Sequence, residues 1–218
     1  MGAFYGNVLV ARACEEVVPL LAGVSGPDGE VLRGYAMAVG PRHAVIHPEE
    51  ETGALEWAGT LSRLLGAPAL GTYLFDSDVL VMRVYEDGEL RHGYDSCPGY
   101  FDEDDRGGAE DGEDEQDADF DWPAPLGADP GAFLPLAAGP VDLPALESVL
   151  RGVPLDPEDG EDGRYVFADA QHCDVLALLS LDASRLSTGY THLSREGLPP
   201  DTAPDDVWLL GGATFDAG

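Results

Sequence analysis

The stretch Ala69 to Phe101, ALGTYLFDSDVLVMRVYEDGELRHGYDSCPGYF, decides the fold. Leu70, Thr72 and Leu74 alternate with Gly71, Tyr73 and Phe75, the two-residue period of a pleated strand. Asp76-Ser77-Asp78 supplies short polar side chains that bond their own backbone and close a turn. Val79 to Tyr85 is apolar or β-branched apart from Arg83, which reads as a central strand covered on both faces. Asp87-Gly88 suits the positive φ angles of a type I′ hairpin, and Leu90 to Tyr94 returns antiparallel.

Upstream of this unit, Phe4 to Ala11 reads as a first strand, and Tyr35 to Val39 and Ala44 to His47 as two short ones. Cys14 to Gly23 has a weak helical pattern interrupted by Pro19. The clearest helix runs from Thr52 to Leu65, with Thr52 as its cap and Gly66 and Pro68 as its stop. Ala54, Trp57, Ala58, Leu61, Leu64 and Leu65 give that helix one continuous apolar face made to lie on a sheet. Strand, helix, strand, strand, helix, strand is compatible with a ferredoxin-like layout extended by two strands. The predicted fold is therefore α+β, an antiparallel sheet with helices packed mainly on one face; strand order does not follow from the pattern.

Downstream the character changes. Residues 102–121 hold twelve acidic side chains and one Arg, a net −11, with no apolar period, and read as a solvated, mobile insertion in a single domain spanning 1–218. Beyond it the chain is loop-rich. Asp142 is placed to cap a short helix bearing Leu143, Leu146 and Leu150, and Asp156 to Gly163 reads as a second acidic loop. Phe167 to Leu181 reads as a second long helix, and Gly189 to Leu193 and Val207 to Leu210 as terminal strands.

Charge narrows the function. The 218 residues carry 42 acidic and 11 basic side chains, all 11 of them Arg, for a net −31. Such a chain repels nucleic acid and anionic membranes and draws in basic partners. No run of about 18 apolar residues spans a membrane, and the first residues carry no secretory signal. Cys14, Cys97 and Cys173 are odd in number and widely spaced, so neither a disulfide framework nor a zinc ribbon is expected, and reduced thiols fit the cytoplasm.

Candidate chemistry concentrates after the third strand. Cys97 has His92 five residues before it, but Asp95, Asp102 and Glu103 surround it with charge that disfavours a thiolate. Asp76 and Asp78 flank a turn, and the acidic clusters do not fit the twelve-residue calcium loop. His43 and His47 share a strand face, yet no His or Cys spacing suggests zinc. There is no phosphate-binding Gly loop with a Lys and no Gly-x-Ser-x-Gly elbow, so neither a cofactor nor a catalytic set is expected. Tyr94, Tyr100 and Phe101 beside Asp95, Cys97, Asp102 and Glu103 place rings next to carboxylates, a combination suited to an Arg- or Lys-rich surface.

Met1-Gly2-Ala3-Phe4-Tyr5, Asp76-Ser77-Asp78-Val79-Leu80, Asp87-Gly88-Glu89-Leu90, Ser96-Cys97-Pro98-Gly99-Tyr100-Phe101 and the segment Gly189 to Pro199 resemble a family of small bacterial proteins without an assigned activity. The resemblance carries no catalytic residue over. The leading expectation is a non-enzymatic acidic binding protein that neutralises or regulates a basic protein partner, as an immunity protein or antitoxin does. The alternatives are a cysteine-dependent enzyme using Cys97 and a salt-adapted housekeeping protein.

Overall fold

The computed structural model describes residues 2–26, 29–101, 123–200 and 202–214. The acidic insertion at 102–121, with Asp102 and Glu103, lies outside the described residues.

The first half builds a sheet from β1 (Tyr5–Val10), β2 (Gly34–Ala38), β3 (Ala44–Pro48), β4 (Ala69–Phe75), β5 (Val79–Glu86) and β6 (Glu89–Asp95). The chain returns at its end to add β9 (Val207–Leu210). Spatial order is β6-β5-β4-β1-β3-β2-β9, and every neighbouring pair is antiparallel. The inner run β4-β1-β3-β2 is the ferredoxin-like arrangement, with each βαβ crossover straddling one intervening strand.

Two helices connect those strands. Between β1 and β2 lies α1 (Cys14–Val17), which tightens into a 3₁₀ turn over Val18–Leu20 because Pro19 cannot continue an α-helix. Between β3 and β4 lies α2 (Ala54–Leu65), closed by Gly66 in the left-handed conformation. Thr52 is not its cap. A 3₁₀ turn over Glu51–Gly53 leads in, Ala54 N–H bonds the Glu51 carbonyl, and the N-cap Gly53 offers no side chain.

The expectation of helices mainly on one face holds only for this half. Val8, Val10, Ala36, Ile46 and Ala69 bury one face of the sheet under α1 and α2. The opposite face, with Leu9, Met37, Val45, Leu70, Leu74 and Met82, is covered by the C-terminal half. That second layer comprises a 3₁₀ stretch over Pro130–Leu136, α3 (Leu143–Leu150), α4 (Ala168–Leu178), α5 (Ala183–Leu186) and α6 (Tyr190–Glu196). Asp142 does cap α3, accepting from Ala145 N–H at 3.2 Å.

Two more local readings need correction. The stretch Gly189 to Leu193 begins a helix, α6, not a strand: Gly189 is extended as its N-cap, Leu193 N–H reaches the Gly189 carbonyl, and Tyr190 and Leu193 both pack inward. The acidic loop Asp156 to Gly163 is partly ordered, as a 3₁₀ turn followed by β7 (Gly160–Glu161), which pairs with β8 (Arg164–Tyr165). Among the described residues no helix is long and apolar enough to cross a membrane.

The close seating of α2 depends on Gly71. A Cβ there would lie 2.9 Å from the Ala54 carbonyl oxygen and the Leu55 Cα, both backbone atoms. Gly71→Val is therefore expected to lower stability in urea unfolding by about 1–3 kcal/mol through overpacking. Gly93→Thr, on β6 where a Cβ would meet nothing within 4 Å, is expected to leave the unfolding midpoint unchanged or raised. Equal midpoints for the two variants would contradict this account of the helix–sheet contact.

Candidate functional site

Alternation along β4 turns Leu70, Thr72 and Leu74 toward the C-terminal layer and leaves Gly71, Tyr73 and Phe75 on the α2 side. Helix α2 covers Gly71 through Ala58 but does not bury Tyr73 or Phe75. Strand β1 pairs with β4 so that Tyr5 faces Leu74, which brings Phe4 beside Phe75. The rings of Phe4 and Phe75 meet edge to face at 5.1 Å.

The segment after β6 supplies the remaining rings. Ser96 grips β5 twice: its N–H donates to the Leu80 carbonyl, and its hydroxyl accepts from Leu80 N–H at 2.8 Å. Asp95 folds its carboxylate over the turn and accepts from Cys97 N–H at 2.9 Å. Gly99, with a positive φ of 83°, then reverses the chain. Tyr100 and Phe101 land on Phe75, at ring distances of 5.8 Å and 5.3 Å, and on each other at 5.2 Å. Tyr73 lies 6.5 Å from the same hub.

The result is a five-ring surface centred on Phe75. Phe4 and Phe101 remain 47% and 49% exposed, and their contact with Phe75 makes the exposed apolar surface contiguous. Its border is acidic. Asp76 follows Phe75 directly and is exposed, and burial, then nearby half-buried Glu51, raises the Tyr73 hydroxyl pKa. Burial also raises the Glu51 carboxyl, against the pull of its bond from Thr191 N–H at 2.6 Å.

The residues picked out by sequence divide. Tyr100 and Phe101 join the patch, and Asp95 shapes the turn that places them. Tyr94 does not belong to it: the side chain faces the C-terminal layer, is 1% exposed, and its hydroxyl accepts from Gln171 Nε2 at 2.8 Å. Phe4, Tyr73 and Phe75 were not singled out as binding residues. Tyr73 and Phe75 share one face of β4 and were visible to that extent, whereas the approach of Phe4 depends on β1 pairing with β4.

Cys97 is buried, and its thiol pKa is raised by burial and then by Asp95 and Asp78. His92 is engaged elsewhere, with Nε2 2.7 Å from the Gly127 carbonyl and its ring edge-on to Phe133. Behind Cys97 a cleft of about 840 Å³ is lined by Asp78, Ser96, Arg151, Arg164, Tyr165 and Gln171 among others. Its charges are mixed, Arg151 is held by Glu147 at 2.8 Å, and the Tyr165 hydroxyl donates to Asp174. Among the described residues no three His, Cys, Asp or Glu side chains are grouped to hold a metal ion. Comparison of the chain with protein-family models, curated proteins and solved structures finds no match.

A buried thiol with a raised pKa is a poor nucleophile. In iodoacetamide labelling at neutral pH followed by peptide mapping, Cys97 in the folded protein is expected to react at least about tenfold more slowly than in a urea-unfolded control. Faster labelling in the folded protein would restore the cysteine-enzyme reading.

Proposed function

We propose that the protein is a non-enzymatic acidic binding protein that takes an Arg- or Lys-rich surface of a protein partner onto the five-ring patch, and so neutralises or regulates that partner as an immunity protein or antitoxin does. The observation that carries the reading is the half-exposed aromatic cluster around Phe75, bordered by Asp76 and Glu51, on a chain of net charge −31. A guanidinium or ammonium group over an aromatic face gains roughly 0.5–1 kcal/mol at an exposed site and more where water is excluded. Planar Arg groups gain further by stacking. The net negative field adds little directional affinity but speeds encounter with a basic partner and disfavours nucleic acid and anionic membrane. Cys14, Cys97 and Cys173 are all free thiols, which supports a cytoplasmic setting.

The test uses a fluorescent nona-arginine peptide and the full chain. Phe75→Ala combined with Phe101→Ala is expected to weaken binding by about 5- to 30-fold while circular dichroism stays unchanged. Raising NaCl from about 50 to about 500 mM is expected to weaken binding of both proteins through screening. Equal affinity of the double variant and the unaltered protein would show that charge alone acts and the patch does not. With the expected loss of affinity, cross-links from a captured host protein fall on the patch residues.

A further inference from the structure

Four of the five histidines lie where the sheet meets the C-terminal layer. His43 packs against the Leu136 backbone and is 3% exposed, and His92 binds the Gly127 carbonyl. His47, on β3, is wholly buried with the backbone of Arg185 and Thr188 facing its ring. His172, on α4, reaches across to β1, its Nδ1 sharing a hydrogen bond of 2.7 Å with the Tyr5 hydroxyl.

The polar accounting at this seam is incomplete. Asn7, on β1, donates to the Leu186 and Thr188 carbonyls at 2.7 Å and 3.1 Å, tying the covering segment to the central strand. Asn7 Oδ1, both ring nitrogens of His47, His172 Nε2 and Thr188 Oγ1 are buried without a hydrogen-bond partner. Burial costs a charged imidazole far more than a neutral one, because the full charge is taken out of water with no carboxylate among the described residues paired to it.

We propose that the interface between the sheet and the C-terminal layer is a proton-sensitive latch, in which His47 and His172 hold the layer closed while neutral and release it when protonated. The surrounding titratable and charged groups are Tyr5 of β1, Tyr35 of β2, Asp169 and Cys173 of α4, and Arg185 of α5. None offsets the burial at His172, and at His47 the backbone offsets it only in part. Both imidazoles are held down to a pKa of about 3. Burial and neighbouring Arg42 lower His43 as well.

The direction of the effect follows by linkage. The open form takes up protons near the ordinary histidine value of about 6.5, while the closed form resists them to about 3, so closure is favoured above 6.5 and weakens as pH falls. Each histidine contributes up to about tenfold in the opening constant per pH unit in that window, so the pair contributes up to about 100-fold. Carboxylate protonation relieves the −31 self-repulsion in the same range, an opposing trend that a matched variant reports. Opening exposes Leu9, Leu70, Leu74 and Met82 of the sheet face.

Hydrogen exchange of the full chain, corrected for intrinsic rate and followed from pH 7.5 to 5, tests the latch. Amides of 168–193 are expected to open progressively below pH 6.5, while those of α2 on the far face change less. In the His47→Gln, His172→Gln double variant, whose side chains do not titrate, the pH dependence of 168–193 is expected to flatten. Identical pH dependence in the double variant would overturn the proposal. Should that variant fail to fold, imidazole proton shifts of the unaltered protein decide the matter. Rings that stay neutral until the layer opens support the latch, and titration of His47 and His172 near 6.5 in the closed protein refutes it.

Discussion

Strand β1 is buried along its whole length on both faces, and the rest of the structure follows from covering it twice. Val8 and Val10 need one apolar layer and Tyr5 and Leu9 another. The first half of the chain provides only α1 and α2, both of which reach the Val8 side. A ferredoxin-like sheet alone would leave Leu9, Leu70 and Leu74 against water. The C-terminal half is therefore a structural requirement of the sheet rather than an appendage. Its end confirms the dependence by adding β9 to the sheet edge beside β2.

The second layer differs from the first in chemistry. Under α2 the contact is almost wholly apolar, with Ala54, Ala58 and Leu61 against Val8 and Ala69. Under the C-terminal layer the sheet presents Asn7, His47 and Thr72, all nearly inaccessible. Buried polar groups add little to stability when satisfied and cost about 1–3 kcal/mol each when not. They do fix where the covering chain must run: the Asn7 amide specifies the carbonyls of Leu186 and Thr188 and no others. That specificity explains how short helices such as α5 and α6, with little intrinsic stability, hold one position.

Sequence reading recovered what is local. The period of Leu70 to Phe75, the Asp87-Gly88 turn, with φ of 52° and 79°, and the apolar face of α2 each declare themselves within a dozen residues. Two-sided covering of Val79 to Tyr85 is only partly met: Val79, Leu80, Met82 and Val84 are buried, but Val81, Arg83 and Tyr85 on the α2 side are half-buried, because β5 lies next to the edge strand. Gly189 to Leu193 is too short for any period to decide between strand and helix, and tertiary contacts set it, with Tyr190 stacking on Tyr35 at 4.7 Å. The site suffered in the same way. Tyr94 and Tyr100 are six residues apart and chemically alike, yet the pleat sends the first into the core and the turn at Gly99 brings the second to the surface.

The aromatic patch also depends on both layers. It is bordered by the β4–β5 turn, where Asp76 and Ser77 both take left-handed conformations, at φ of 50° and 59°, that side chains rarely adopt. Three contacts hold that turn in place. Ser77 exchanges bonds with the Ala3 backbone, its carbonyl accepts from Ala168 N–H at 2.7 Å, and Asp76 accepts from Gly2 N–H. Ala168 opens α4, so the C-terminal layer helps set the angle of the turn beside Phe75. A second link runs from Thr191 of α6 to Glu51, next to Tyr73. The rings thus sit on the first half of the chain, while their acidic border is fixed partly by the second. A loosened C-terminal layer would free the border before it disturbed the rings, because Phe4, Phe75, Tyr100 and Phe101 hold one another through contacts that involve no residue beyond Phe101.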